Sequence, residues 1–533
     1  MDRFDIVFSN GTIYDGSGSP SFTGSVGVRD GRLSLLPSGS VWEAERTLDA
    51  TGLAIAPGFI DVHSHTDFQP FVDSLSTSKA HDGVTLEISG NCGFSAVPFD
   101  SFTRKQENER YAPWGASFDW ANLVEYRAEL EASGISIHHA MLVGHGNLRS
   151  QVMGEDNRDP TAAELDRMKG ILGDLLDQGA VGLSSGLIYP PGCFSKTDEL
   201  TALARVAAEK GRMYTSHIRG EGANLRSAIT EVLTIARDSG ARTQISHLKA
   251  SGRDNWHKLE PVLEEIEATR SAGYPVLADR YPYTATNTYL YTLFRNWAYE
   301  GGRSAQVDRL KDPAMSRRIL DEMREDYPHE YVQTILVSSH GPLSNRTQTP
   351  PDPGIPIEGS SLGDLGAAWG QDAYEAARLL SIRYEADVFG IFFNMNDENL
   401  RKVLTKDWVM IASDGSAQVP VGRTFEGRPH PRAYGTFSRA VGHFARDEGF
   451  FGLETAIHKM TGMPATHFGL EDRGTIRDGA HADLTIFDPA SIVDRSTYAD
   501  PHQLSQGVIT LVVGGQIVLD RGMDTGARPG RVL

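Results

Sequence analysis

Apolar residues follow two rhythms along this chain. Near both ends they alternate with polar residues in short runs broken by turn dipeptides. Ile6-Val7-Phe8 and Thr12-Ile13-Tyr14 flank Asn10-Gly11, and Val26-Gly27-Val28 and Leu33-Ser34-Leu35 flank Asp30-Gly31. Asn-Gly and Asp-Gly accept the positive φ of a two-residue turn, so two hairpins are predicted. The far end has the same pattern. Asp483–Phe487 reads as a strand, and Val508–Val513 and Gln516–Leu519 flank Gly514-Gly515. Neither end carries enough apolar side chain for a core of its own. The two are expected to pair into one small β-sandwich, residues 1–56 with residues 473–533.

Between them, apolar runs of about five residues alternate with helix-like segments. Thr161-Ala162-Ala163-Glu164 has the capping-box pattern, and the helix it opens is predicted to run to about Gln178, with Gly179 as its stop. Asp198–Lys210, Asn224–Ser239 and His257–Ala272 read as further helices. The intervening strands are read as Phe59–Val62, Val84–Ile88, Ala140–Val143, Val181–Leu183, Met213–Thr215, Thr243–Ile245, Val276–Leu277 and Val409–Ala412. Eight strands alternating with helices predict an α/β fold, a TIM-like (β/α)8 barrel over residues 57–472. The gap from about Tyr283 to Trp408 is too long for one βα unit. An inserted lid subdomain is expected at about 287–356, with Thr349-Pro350-Pro351-Asp352-Pro353 as its return linker.

Charge narrows the functional classes. The 533 residues hold 51 Lys+Arg against 70 Asp+Glu, a net charge of −19. Such a chain has no electrostatic footprint for nucleic acid or for an anionic membrane, and neither is expected as a partner. No apolar stretch approaches the ~18 residues of a membrane span. Met1-Asp2-Arg3-Phe4-Asp5 has neither the basic nor the apolar region of a secretory signal. Two cysteines exclude a disulfide framework, so a reducing, cytoplasmic setting is expected.

The chemistry sits just past the predicted strand ends. The first strand runs into Asp61-Val62-His63-Ser64-His65-Thr66-Asp67. Residues i and i+2 of an extended segment share a face, so His63 and His65 can converge on one ion. The second strand leads to Gly90-Asn91-Cys92-Gly93, the fifth to Ser216-His217, the sixth to Ser246-His247-Leu248-Lys249 and the eighth to Ser413-Asp414-Gly415. Active sites of such barrels lie at the C-terminal strand ends, so these residues would face one pocket. Four His, one Cys and one Asp suit a borderline metal such as zinc. Ser184-Ser185 does not fit a nucleophile elbow. His145 closes the third strand and reads equally as a pocket-lining or a structural residue, and Cys193 reads as a buried inert thiol.

Pro57-Gly58-Phe59-Ile60-Asp61-Val62-His63-Ser64-His65 resembles the entry motif of the amidohydrolase superfamily. Gly90-Asn91-Cys92-Gly93, Leu183-Ser184-Ser185-Gly186-Leu187-Ile188-Tyr189-Pro190-Pro191-Gly192, Thr215-Ser216-His217-Ile218-Arg219, Ser246-His247-Leu248-Lys249 and His430-Pro431-Arg432-Ala433-Tyr434-Gly435-Thr436-Phe437 resemble its D-aminoacylases, the N-acyl-D-amino-acid deacylases. Many superfamily members bridge two metals with a carboxylated Lys. No Lys stands in a strand-end motif where that bridge belongs, and the D-aminoacylase group uses a Cys, which points to Cys92.

The resemblance implies a zinc enzyme acting on a small-molecule substrate. It implies a tight zinc on Cys92, His217 and His247, and a second, weaker site on His63, His65 and Asp414. Asp414 would be general base and then general acid. Tyr189, Lys249 and Arg432 would bind the substrate, the two cations taking its α-carboxylate. Asp67 and Glu221 would orient ligating histidines. Apolar residues of the lid between Tyr289 and Trp297 suit D-Met, D-Leu or D-Phe derivatives, whereas an inward Arg295 would suit an acidic side chain. Two alternatives stand beside this reading: a cyclic-amide hydrolase like the hydantoinases and dihydroorotases, and a non-catalytic scaffold of the same fold.

Overall fold

The computed structural model describes residues 2–37, 39–99, 101–341, 351–422 and 427–533. Eight parallel strands lie side by side in chain order: Phe59–Asp61, Val84–Ser89, His138–Gly144, Gly182–Gly186, Met213–His217, Arg242–Ile245, Val276–Arg280 and Val409–Ile411. The sheet closes between its first and last members, where Asp414 N–H donates to the His63 carbonyl at 2.7 Å and Ser64 bridges Gly415. Strand alternation sorts the core. Ile60, Val62, Leu86, Ile88, Ala140, Leu142, Met213, Met410 and Ala412 pack into one cluster. Met141, Val143 and Leu183, offset by one residue, belong to the cluster that also holds Leu172, Leu203 and Val232 of the surrounding helices. The predicted capping box on Thr161 and Glu164 is present and opens the helix Ala162–Asp177.

The two ends of the chain form a single nine-stranded sheet. Ala54–Pro57 pairs antiparallel with Leu484–Phe487, joining the N-terminal strands to the C-terminal ones. The sheet curls back on itself, because Leu33 N–H bonds to the Ala480 carbonyl at 2.8 Å and Arg32 bridges His481. Its apolar face encloses Phe8, Val26, Val28, Ile55, Leu484 and Val512. Asp30-Gly31 and Gly514-Gly515 turn hairpins as predicted, with positive φ at both residues. Asn10-Gly11 does not. Asp2–Ile13 is one continuous strand, and Asn10, at φ 62°, forms a bulge in its pairing with Phe22–Arg29. The bulge lets Gly11 press against Ile55, where a Cβ would not fit.

The insertion between the seventh and eighth barrel strands is longer than the expected 287–356. Its three-stranded antiparallel sheet orders Thr286–Tyr289, Val388–Phe392 and Leu336–His340, so it extends to Phe392. Of the Pro-rich stretch, Thr349 and Pro350 lie outside the described residues, and Pro351-Asp352-Pro353 lie inside the insertion, before its helix Leu362–Ala368, and not at its end. The insertion has its own core of Leu290, Leu310, Ile335, Leu365, Leu380 and Phe392. Among the described residues no helix is long and apolar enough to cross a membrane.

Candidate active site

The strand ends deliver the six candidate metal residues to one place. His63, His65, Cys92 and Asp414 offer ligand atoms within 4.8 Å of one another, and so do Cys92, His217 and His247. Cys92 belongs to both groups. Three of the six have left-handed backbone: Cys92 at φ 53°, His247 at φ 37° and Asp414 at φ 51°. Each such conformation costs about 1–3 kcal/mol and persists only where neighbours enforce it. Around Cys92 the enforcement is close packing. Gly93 N–H donates to Ser184 Oγ at 3.1 Å, and Asn91 Nδ2 donates to the carbonyls of Val62 at 3.3 Å and Ile88 at 2.9 Å. A Cβ on Gly186 would run into the Cys92 carbonyl.

The imidazoles are oriented from behind. His63 turns Nδ1 to Asp279 at 3.1 Å and Nε2 to Cys92 Sγ at 3.3 Å. His247 turns Nδ1 to Glu221 at 3.0 Å and Nε2 to His217 Nδ1 at 2.9 Å and Cys92 Sγ at 3.7 Å. His217 Nε2 lies 4.0 Å from Glu221. At His63 the outer nitrogen held by a carboxylate leaves the inner one a lone pair, the arrangement of metal-bound histidine; His247 Nδ1 also meets Lys249 Nζ at 2.8 Å, and His217 Nε2 has no hydrogen-bond partner among the described residues. His65 Nε2 meets Asp414 Oδ1 at 3.0 Å.

Electrostatics favour the ligand forms of Cys92 and Asp414. Burial opposes a thiolate at Cys92, but His63, together with hydrogen bonds from His217, His247 and His63, outweighs it and holds the thiol well below its ordinary range. Burial likewise opposes the Asp414 carboxylate, and Arg432, His63 and His247 outweigh it. One sulfur and two imidazole nitrogens, dry and convergent, match the donor set of zinc.

The three candidate substrate residues line the same cleft, of about 1830 Å³. Arg432 pairs with Asp414 Oδ2 at 2.7 Å and lies 4.7 Å from the Tyr281 ring centroid, and Lys249 lies 5.8 Å from that ring. Tyr189 packs edge-on against His217 at 5.1 Å and shares a 2.8 Å hydrogen bond with Thr288. Tyr281 is buried, and its hydroxyl has no hydrogen-bond partner among the described residues. Burial alone would raise its pKa, but the cations Lys249, Arg280 and Arg432 outweigh that and lower it. Asp279 and Tyr281 lie beyond Val276–Leu277, the extent of the seventh strand that the apolar pattern gives. The strand runs on to Arg280, and that polar continuation is the signal that would have found them.

The remaining candidates separate cleanly. Glu221 backs His247 as expected. Asp67 accepts from Ala96 N–H at 3.3 Å instead, while His63 and His65 turn to Asp279 and Asp414. Burial raises Asp67 to about 7. His145 bonds Glu199 at 2.7 Å, with Arg149 on the other carboxylate oxygen. Burial pushes the Cys193 thiol up to about 12. Ser185 bonds Tyr214 and Ser216, and Ser184 braces the Cys92 loop. Arg295 reaches the rim but is held by Asp326 at 2.8 Å and Glu325 at 3.1 Å.

A sequence profile of the amidohydrolase family matches residues 46–342 and 394–519. N-acyl-D-glutamate deacylase of Alcaligenes xylosoxydans xylosoxydans is 34% identical over 534 residues, covering 100% of this chain and 97% of that protein. The D-aminoacylase of the same organism is 31% identical, covering 99% of this chain and 97% of that protein. The crystal structure of N-acyl-D-glutamate deacylase from Bordetella bronchiseptica superposes with a TM-score of 0.83 at 34% identity, covering 100% of both chains. That enzyme is complexed with zinc and a phosphonate inhibitor, a mimic of the reaction's tetrahedral intermediate.

Proposed function

The chain belongs to the amidohydrolase family, and from that premise we propose that it hydrolyses the amide bond of N-acyl-D-amino acids, yielding a carboxylic acid and a free D-amino acid. The observation that carries the reading is one cleft in which a thiolate-favouring Cys92, the histidines around it and an Asp414 paired with Arg432 meet one further cation, Lys249. Cys92, His217 and His247 would hold a tight zinc, and His63, His65 and Asp414 a second, weaker site. Bound there, zinc supplies Lewis-acid polarisation of the scissile carbonyl. The reducing, cytoplasmic setting expected from the cysteine usage keeps the Cys92 thiolate available.

Asp414 is the proton carrier. Arg432 occupies its Oδ2, leaving Oδ1 facing His63 and His65. At Oδ1 it takes the proton of the attacking water and returns it to the leaving nitrogen as the C–N bond breaks. Lys249 and Arg432 orient the substrate α-carboxylate, and the unpartnered Tyr281 hydroxyl offers a further donor. Tyr189 lies against His217 on another wall. Fixing the carboxylate, the carbonyl and the α-hydrogen at separate points selects D over L. Arg295 is committed to lid carboxylates, so the pocket favours apolar side chains. The cyclic-amide reading lacks a bridging lysine, because Cys92 is the residue common to both clusters.

The test is a chiral amine-release assay on zinc-loaded protein with paired N-acetyl-D and N-acetyl-L amino acids bearing apolar, acidic and basic side chains. Turnover confined to D-substrates, highest for apolar ones, is expected. Equal turnover of L-substrates, or none of either, would sink the reading.

A further inference from the structure

Beneath the metal residues lies a buried lysine that the reaction does not use. Lys79, on the short helix Thr77–His81, is 1% exposed. Its ammonium donates to Asp61 Oδ2 at 2.7 Å, to Ser413 Oγ at 2.6 Å and to the Gly415 carbonyl at 2.9 Å, which uses all three N–H bonds. Asp61 ends the first barrel strand. Ser413 and Gly415 flank Asp414 just past the eighth. Asp61 in turn accepts from the backbone N–H of Ser413 at 3.0 Å and of His63 at 3.3 Å. Ser78, the neighbour of Lys79, exchanges hydrogen bonds with Gln418 and donates to the Ala433 carbonyl at 2.7 Å.

We propose that Lys79 is a positioning residue: it locks the seam between the first and eighth strands and thereby holds His63, His65 and Asp414 as one set. The inference rests on the two-site zinc reading above. The seam is where this barrel depends on side chains. Val409–Ile411 shows no ladder with Phe59–Asp61, and closure falls to the loop residues just beyond them. Asp414 sits there in a left-handed conformation that its neighbours must enforce. A buried ammonium with all its donors matched gives that enforcement direction, because shifting the Asp61 end weakens a buried ion pair and shifting the Ser413–Gly415 end leaves buried N–H donors unmatched. Cys92 and His247 lie just past the second and sixth strands and His217 ends the fifth; the Lys79 ammonium donates to none of these three, so the tight zinc is expected to remain when Lys79 is removed.

The experiment compares wild type, Lys79→Met and the triple variant Lys79→Met/Asp61→Asn/Glu87→Gln, which also neutralises the two buried carboxylates that pair with the ammonium. Each is stripped of metal and titrated with cobalt, and kcat and KM are measured on the preferred D-substrate. The cobalt–thiolate absorption of the Cys92 site reports the tight site, and calorimetry counts the second. The expected result is an unchanged thiolate band, second-site affinity down by roughly tenfold to a hundredfold, kcat down by a similar factor and KM little changed. Wild-type second-site affinity and kcat in either folded variant would overturn the proposal. So would failure of both variants to fold, which would make Lys79 a folding residue. Absence of the thiolate band from wild type would instead overturn the metal reading.

Discussion

At the scale of single residues, the site rests on atoms whose ordinary behaviour is changed by what surrounds them. Cys92 and Cys193 are both buried, yet they are driven in opposite directions: histidines draw the first toward thiolate, while burial holds the second as thiol. Cys92→Ala is therefore expected to lose the tight zinc on dialysis, measured by metal analysis, and Cys193→Ala to keep it. Asp414 stands apart from Cys92, His217 and His247 because Arg432 and two imidazoles divide its oxygens. Asp414→Asn keeps the hydrogen-bonding shape and removes the proton carrier. It is expected to retain the tight zinc and lose kcat by about 10²–10⁴-fold; wild-type turnover would exclude Asp414 as acid and base. Asp414 and Cys92 could be picked out because they close strand-end motifs. Tyr281 is signalled only by the polar run past the seventh strand, and Lys79 by nothing local, since a lysine becomes informative only when its ammonium has three partners.

At the scale of elements, the strand ends work because neighbouring loops press on one another. Gly186, the last residue of the fourth barrel strand, touches the Cys92 carbonyl so closely that no Cβ fits. Gly186→Ala must push the Cys92 loop away, an overpacking that costs about 1–3 kcal/mol. Melting temperature and zinc affinity are expected to fall together. Gly170→Ala, on the open face of the helix Ala162–Asp177, is the control. It is expected to leave zinc affinity unchanged and raise stability by up to about 1 kcal/mol. Helices were legible element by element from caps and periodicity, as the Thr161–Glu164 box shows. The insertion was not, because its strand Val388–Phe392 pairs with residues about a hundred positions earlier, and a proline cluster marks a bend whether or not a subdomain ends there.

At the scale of the whole molecule, the curled terminal sheet is tied to the barrel through Asp483. Its carboxylate accepts from His138 Nε2 at 3.1 Å, where the third barrel strand begins, and from Gly514 N–H at 2.8 Å, and it pairs with Arg473. Burial opposes the charge, but His138, Arg473 and the Gly514 N–H outweigh it and hold Asp483 below the usual carboxylate range. The unfolded chain protonates this group near pH ~4, the folded chain only at lower pH. Its contribution is whole above about pH 4 and is lost as pH falls through the folded value. Asp483→Asn should accordingly flatten the acid limb of melting temperature against pH, and an unchanged limb would remove this tie from the account. The sequence by itself determined the eight-strand alternation, the short strands at both ends and the identity of the candidate metal residues, since periodicity and strand-end motifs are local properties of the chain. Only the tertiary structure decided that Asp279 backs His63, that Arg432 grips Asp414, that Arg295 faces lid carboxylates and that Lys79 spans the seam. Those contacts join residues up to 336 positions apart, and which of them meet depends on how the barrel closes.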